Sequence, residues 1–200
     1  MKSTDRRVQL ISVATEIFSD KGFHGTTTKE IATKAGVTEA LIFRHFESKD
    51  ALYRAVIDEY AETSRRPEWH AEIRDCMERN ADIELIRTLI AYVIEAYRVY
   101  PVMQRLVLLA ILEGFHKEAD RACHLPKTLQ REVIAYFDRR QKDGTVNEIN
   151  PIAIFQIIFG MSRSYAIGKY VYKLKEMKIP DDEAVENFTQ FAVRAVIKSQ

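Results

Sequence analysis

The sequence is poor in residues that interrupt regular structure and in residues that crosslink it. Only seven glycines and five prolines occur among 200 residues, which excludes collagen-like and low-complexity character. The two cysteines, Cys76 and Cys123, are far apart and form no Cys-x-x-Cys pair, so we expect reduced thiols in a cytoplasmic protein. Apolar runs near 106–112 and 152–161 are too short to cross a membrane, and we expect no signal peptide.

An excess of charge is also missing, since 30 Lys and Arg face 29 Asp and Glu. Over residues 1–50, eight basic residues face seven acidic ones. Overall charge therefore gives no support to nucleic-acid binding, and any such argument depends on where the charges lie. The 46% hydrophobic and 30% charged content is typical of a globular protein.

Sequence patterns of enzymes and metal sites are missing too. We find no Gly-x-Ser-x-Gly, no phosphate-binding loop and no His-Glu-x-x-His. His116, Cys123 and His124 match no zinc spacing. We therefore expect no enzyme activity, no metal and no cofactor.

Apolar residues recur at helical spacing and predict an all-α fold. The first helix is expected from about Asp5 to Lys21. Thr27 and Glu30 predict a capping box at the start of a second helix, because each side chain can satisfy a free backbone N–H. Gly36 is expected to end that helix.

A third helix is expected after Thr38, with Ile42 and Phe46 on its core side, and Ser48 is expected to cap a fourth. Beyond it, the five prolines divide the chain into further helices. The sequence thus predicts about nine helices.

Two short helices joined by an Ala-Gly-Val turn and braced by a preceding helix predict a helix-turn-helix. The third helix would enter the DNA major groove, where Arg44 could read guanine or hold a phosphate. We predict DNA contacts from its outward sides and from neighbouring helix starts: Thr27, Thr28, Lys29, Thr38, Glu39, Ala40, Leu41, Phe43, Arg44, His45 and Lys49.

The stretch GFHGTTTKEIATKAGVTEALIFRHFESKDAL, residues 22–52, resembles the DNA-binding region of TetR-like transcriptional regulators, the tetracycline-repressor family. It shares a Thr-Thr pair before Ile-Ala, then Ala-Gly-Val-Thr, an aromatic-x-His-Phe group and a lysine. The resemblance implies a DNA-binding domain at 1–48 and an effector-binding and dimerisation domain at 49–200. It also implies a ligand-responsive regulator, more often a repressor, that binds a two-fold symmetric operator as a homodimer.

The resemblance places Thr28, Thr38, Ala40, Phe43, His45 and Lys49 where family members often touch DNA. Three residues depart from the family pattern. Phe43 replaces a tyrosine and lacks its phosphate-binding hydroxyl, and Ala40 stands where glycine is common. Glu39 stands where a cation is frequent, and it repels phosphate unless it accepts from a cytosine amino group.

An apolar or aromatic effector is expected among the later helices, contacted by Tyr92, Met103, Phe115, His116, Tyr136, Phe137, Phe155 and Tyr165. Residues of these types are more often plain core than ligand contacts, because any helical bundle contains an aromatic stripe at helical spacing. Polar residues within apolar stretches, such as Gln104 and Glu113, need a partner when buried, and a ligand is one possible partner.

The last two long helices are expected to form the homodimer interface through Gly160, Ile167, Phe188, Phe191, Ala192 and Ala195. Their periodicity fits burial in the monomer core nearly as well. Two alternatives to the main interpretation stay open: a DNA-binding protein of this fold without an effector, and a helical small-molecule-binding protein that does not bind DNA.

Overall fold

The computed structural model describes residues 3–63, 66–122 and 125–198, so Cys123 and His124 lie outside the described residues. Within those ranges the chain is helical and contains no strand, which confirms the all-α prediction. The helices are α1 (Ser3–Lys21), α2 (Thr28–Ala35), α3 (Glu39–His45), α4 (Lys49–Thr63), α5 (Pro67–Glu78), α6 (Asp82–Val99), α7 (Pro101–Leu112), α8 (His116–Arg121), α9 (Lys127–Lys142), α10 (Pro151–Ala166) with a π-helical continuation (Ile167–Val171), and α11 (Asp181–Val196). No helix in this part of the chain is long and apolar enough to cross a membrane.

The described residues hold eleven α-helices rather than about nine because two of the segments between prolines each contain two helices. Asn80 separates α5 from α6 with φ 54°, and Gly114 separates α7 from α8 with φ 88°. A left-handed residue ends a helix as effectively as proline does, and Asn and Gly reach that conformation most readily.

The first of two packing units contains the described parts of residues 1–65 and 102–124. In it α1 packs against α2 and α4, α2 against α3, and α4 against α8. Leu10, Phe18, Ile31, Ile42 and Leu52 are fully buried in its core.

The second unit contains the described parts of residues 66–101 and 125–200. Helix α6 contacts α5, α10 and α11, and α9 packs against α10. Leu85, Ile90, Leu129, Phe137 and Ile154 are fully buried in its core.

The predicted domain boundary at 48/49 does not mark a division in the packing. Helix α4 begins at Lys49 and packs along α1, with Leu52 fully buried. Helix α8 packs against α4 and belongs to the same unit. As a division of labour between DNA binding and effector binding, residues 1–48 against 49–200 stay a prediction.

Candidate nucleic-acid interface

Only one of the two hydrogen bonds of the capping box predicted at the start of α2 forms. Thr27 is extended (φ −114°, ψ 151°), and its hydroxyl accepts from the Glu30 N–H at 3.2 Å. The Glu30 carboxylate was expected to return to the backbone of Thr27, but it instead pairs with the ammonium of Lys21 at the end of α1. A full cation within reach binds a carboxylate more strongly than a neutral amide does. This hydrogen-bonded ion pair raises the pKa of Lys21.

The turn between α2 and α3 depends on Gly36, which has φ 67° and ψ 38°. Its N–H donates to the Thr33 carbonyl at 3.2 Å, and the Val37 N–H donates to the Ala32 carbonyl at 2.9 Å. This pair of bonds is a Schellman motif. A Cβ added at Gly36 would meet no atom within 4 Å, so only the left-handed backbone requires glycine here.

Helix α3 has the core side that the sequence predicts, since Ile42 is fully buried and Phe46 is 5% exposed. Ala40, Phe43 and Arg44 are exposed on its other sides, and 48% of Phe43 is accessible. Leu41 and His45 are half-buried. The helix therefore presents side chains outward while two apolar anchors fix its rotation.

Thr38 occupies the N-cap position of α3, but its hydroxyl makes no capping hydrogen bond. The Leu41 N–H donates instead to the Thr38 backbone carbonyl at 3.0 Å. The exposed Thr38 side chain is thus not committed to its own helix.

Glu39 is joined to the start of α2. The Thr28 hydroxyl donates to Glu39 Oε2 at 2.9 Å. This bond ties the first turn of α2 to the first turn of α3, where a carboxylate is favoured by the helix dipole. Contacts of Thr28 or Glu39 with DNA stay predictions, and they compete with this bond.

Lys49 is turned toward the loop between α1 and α2 (residues 22–27, the α1–α2 loop). Its ammonium donates to the carbonyls of Phe23 and Thr26, each at 2.9 Å, and lies 4.1 Å from the centroid of the Phe23 ring. An ammonium has three N–H donors, so one remains. Lys49 thus supports the loop, and its predicted phosphate contact stays a prediction.

The exposed outward sides of α2 and α3 carry the basic side chains of Lys29 and Arg44, respectively. Lys34 pairs instead with Glu16 Oε2 at 2.8 Å. Exposed Thr27 adds a hydroxyl close to Lys29. Two exposed cations, Lys29 and Arg44, therefore lie on α2 and α3, although the whole chain is close to neutral.

Glu113 has its partners within the protein, the commoner of the possibilities that the sequence leaves open for such a residue. It was singled out as a polar residue needing a partner, with a ligand as one possibility. In the structure its carboxylate accepts from the backbone N–H groups of Phe23 and His24 in the α1–α2 loop. Gln104 likewise finds a protein partner, donating to the Tyr60 hydroxyl at 3.1 Å.

Three predicted effector residues lie in the first unit. Met103 and Phe115 are half-buried, and His116 is exposed. The Phe115 ring packs 4.7 Å from that of Tyr53 and 4.9 Å from that of Phe23, between centroids. Phe115 thus belongs to an aromatic cluster beside the α1–α2 loop.

The other five predicted effector residues are buried in the second unit: Tyr92, Tyr136, Phe137, Phe155 and Tyr165. The hydroxyl of Tyr92 lies 3.2 Å from His70 Nε2, and that of Tyr165 donates to the Ile179 carbonyl at 2.7 Å. The Tyr136 hydroxyl donates to Asp82, and burial together with this bond raises the pKa of Tyr136. These contacts describe well-packed core, and an effector contact from any of the five stays a prediction.

The predicted interface residues differ in exposure. Phe191 is 61% exposed, and Gly160 is exposed with no atom within 4 Å of an added Cβ. Ile167, Phe188 and Ala195 are half-buried. Ala192 is fully buried within its own unit, so it does not lie on an exposed face.

Two exposed side chains on α10 were not predicted, Ile152 at 55% and Ile157 at 41%. Ile152 belongs to a stripe of exposed positions, 152, 156, 160 and 164, that recur four residues apart along the helix. Ile157 is exposed outside that stripe. That spacing is readable in the sequence, but the apolar residues around the rest of α10 hide it.

In the described ranges, no three His, Cys, Asp or Glu side chains come together in a way that could hold a metal ion.

Comparison with known proteins places these features in one family. Residues 10–56 match the model of the family described as bacterial regulatory proteins, tetR family. The HTH-type transcriptional regulator RutR of Escherichia coli (strain K12) is 30% identical over 161 residues, 80% of this chain and 74% of RutR. The HTH-type transcriptional activator FasR of Mycolicibacterium smegmatis is 41% identical over 58 residues, 29% of this chain and 26% of FasR.

Among solved structures, the ketosteroid transcriptional regulator KstR2 of Mycobacterium tuberculosis has the same fold, with a TM-score of 0.67 at 17% identity over 97% of this chain and 96% of that chain. The similarity to RutR extends far beyond the helix-turn-helix and spans most of both chains. The chain therefore belongs to the tetR family of bacterial regulatory proteins.

Proposed function

We propose that this transcriptional regulator is a repressor that binds a two-fold symmetric DNA operator as a homodimer and is released by a small-molecule effector. The observation that carries the DNA-binding part is the exposed side of α3, which holds Thr38, Ala40, Phe43 and Arg44. Buried Ile42 and the Gly36 turn fix that side in place. A helix of seven residues held in this way suits insertion into the major groove.

In the proposed complex the two α3 helices enter successive major grooves about 34–36 Å apart. Arg44 is the candidate for bidentate recognition of guanine, and Ala40 and Leu41 are candidates for contact with a thymine methyl. Thr27, Lys29 and the N-terminus of α2 would hold the phosphate backbone. Family members read DNA in this general way, which supports the proposal.

The homodimer interface is proposed on α10 and α11. Phe191 projects from α11, while Ile152 and Ile157 project from α10. Gly160 leaves space for a partner helix to approach closely. Exposed apolar side chains at these positions lose contact with water when a second copy covers them.

The effector is proposed to be apolar or aromatic and to bind among the helices of the second unit. Tyr92, Phe155 and Tyr165 supply aromatic surface there, provided that the helices part to admit a ligand. An effector lowers operator affinity only as far as it prefers the released state, and operator must lower effector affinity by the same factor.

Two further attributes belong to the proposal. We expect no enzyme activity, because the similar curated proteins named above are transcriptional regulators. We also place the protein in the cytoplasm, where a bacterial regulator meets DNA.

One observation favours a regulator of this fold without an effector. Gln104 and Glu113, the polar residues that suggested a ligand, have hydrogen-bond partners within the first unit. In that case affinity for the operator is constant or set by a protein partner.

The proposal is tested by titrating fluorescent duplexes from the region around the protein's own gene, with a random duplex as the control. Specific binding that weakens steeply with salt supports a DNA-binding regulator. Apolar and aromatic compounds are then screened for displacement of the bound duplex. Equal binding of all duplexes would contradict operator recognition, and an effector affinity unchanged by operator would contradict effector control.

A further inference from the structure

The α1–α2 loop is held by a carboxylate that is distant in sequence. The Phe23 N–H donates to Glu113 Oε2 at 2.8 Å, and the His24 N–H donates to Glu113 Oε1 at 3.1 Å. Both carboxylate oxygens are therefore used on successive backbone amides. Lys49 binds two carbonyls of the same loop from α4. One anion and one cation thus fix the loop through its backbone.

The local sequence is shaped to this contact. Gly22 has φ 73°, and a Cβ added there would overlap Glu113 Oε1. Glycine is needed both for the backbone conformation and for the approach of the carboxylate. Two residues after Glu113, the ring of Phe115 packs against those of Phe23 and Tyr53. The segment that follows α7 is therefore joined to the loop by polar and aromatic contacts.

The loop leads directly into the DNA-reading helices. It ends at Thr27, which caps α2, and Thr28 is bonded to Glu39 at the start of α3. Along the chain, Glu113 directly follows α7, and α7 directly follows Tyr100. Tyr100 belongs to the second unit. A displacement of the end of α7 would pull on the loop through two hydrogen bonds, and the loop would carry that displacement to α2 and α3.

We propose that Glu113 is a positioning residue for operator recognition, whose carboxylate couples the end of α7 to the placement of α2 and α3. This inference rests on the proposed DNA-binding function and adds a route by which that function is regulated. Neutralising Glu113 weakens specific binding to the operator, because α3 is then less well placed for contacts with bases. Non-specific binding changes less, because phosphate contacts tolerate a small displacement of α2 better than base contacts tolerate a small displacement of α3.

The test compares Glu113→Gln with Glu72→Gln, which makes the same chemical change at an exposed position on α5. Glutamine keeps the shape of the side chain but offers one oxygen acceptor instead of two. We expect E113Q to weaken operator binding by about tenfold or more, the effect of one charge-assisted hydrogen bond. Binding to a random duplex should stay within about twofold for both variants, since both keep every proposed phosphate-contacting side chain and such contacts tolerate a small displacement of α2. Glu113→Asp, which keeps the charge and shortens the reach, should give an intermediate loss and guards against a folding defect in E113Q.

Amide hydrogen exchange gives a second readout that does not depend on DNA. The amide protons of Phe23 and His24 should exchange slowly in the wild type and faster in E113Q. Operator should slow their exchange further in the wild type but not in E113Q, as linkage requires. Faster exchange without any loss of operator affinity would overturn the inference, and so would equal exchange in both proteins.

The failures of the two proposals are distinguishable. The wild type could bind all duplexes equally well while Glu113 protects the two amides from hydrogen exchange. In that case the proposed function fails, and the positioning role fails with it. If the wild type binds an operator and E113Q binds it equally well, the positioning role alone fails.

Discussion

Replacing Arg44 with alanine separates base reading from phosphate binding at α3. The side chain is exposed on a helix anchored by buried Ile42, so its removal leaves the fold intact. A bidentate contact with guanine contributes about 1–3 kcal/mol of discrimination. A homodimer places two copies on the operator, which makes the loss about 2–6 kcal/mol. That range corresponds to roughly thirtyfold to twenty-thousandfold in operator affinity.

Lys29→Ala is the matched comparison, because Lys29 is exposed at the start of α2 and is a candidate for phosphate contact. It should weaken binding to all sequences alike and make the salt dependence shallower by about one phosphate contact per protomer. Both variants are measured by fluorescence anisotropy on the operator, on an operator with its guanines exchanged, and on a random duplex. If Arg44→Ala lowers affinity for all three duplexes by the same factor, Arg44 binds phosphate and the base-reading argument is refuted.

Three other perturbations test the packing, the interface and one polar cluster. The Tyr53 hydroxyl is buried without a partner among the described residues. Tyr53→Phe should therefore stabilise the protein by about 1 kcal/mol and raise the Tm measured by calorimetry by roughly 2–4 °C. A lower Tm would contradict this. Phe191→Asp should convert the dimer to a monomer, as measured by size-exclusion chromatography with light scattering. The control Leu112→Asp, at an 82% exposed site on α7, should leave the dimer intact. A dimeric F191D would contradict the proposed interface on α10 and α11. Burial raises the pKa of Asp181, but hydrogen bonds from Lys169 and Tyr170 outweigh it, so the pKa is lowered. Its stabilisation is therefore complete above the unfolded pKa of about 3.9 and lost as pH falls through the folded pKa. Tm should consequently fall less between about pH 4 and pH 2.5 in Asp181→Asn than in the wild type, and equal profiles would exclude this role.

The helix-turn-helix is predictable from the sequence because its signals are local. The cap at Thr27, the left-handed Gly36 and the apolar pair Ile42 and Phe46 each act within a few residues of where they are read. Asn80 and Gly114 are local signals too, but taking proline alone as the helix boundary beyond α4 overlooks them.

Contacts between distant residues could not be predicted in this way. Glu113 lies about ninety residues from its two amide donors, and nothing near it in the sequence identifies the α1–α2 loop as its partner. Lys49 falls at a position where the family pattern indicates DNA contact, yet its ammonium donates hydrogen bonds to the carbonyls of Phe23 and Thr26. Glu30 was expected to bond locally, but Lys21 lies close enough in space to take its place.

Aromatic residues in the later helices show a different limit. Tyr136 and Phe137 have the same sequence character as ligand-contacting residues, because core packing and ligand binding both favour large apolar side chains. Ala192 was assigned to an interface by its spacing, yet it is fully buried within its own unit. Periodicity shows which residues share a face of a helix, but it does not show what covers that face.

The central claim, that two α3 helices read a symmetric operator, is tested most directly by sequence selection. Purified protein is incubated with randomised duplexes and with fragments of its own genome at two salt concentrations, and the bound DNA is sequenced. The account predicts a two-fold symmetric motif whose half-sites lie about 10–10.5 base pairs apart, or a multiple of that, and whose enrichment weakens as salt rises. Enrichment of no motif at the lower salt concentration would contradict it.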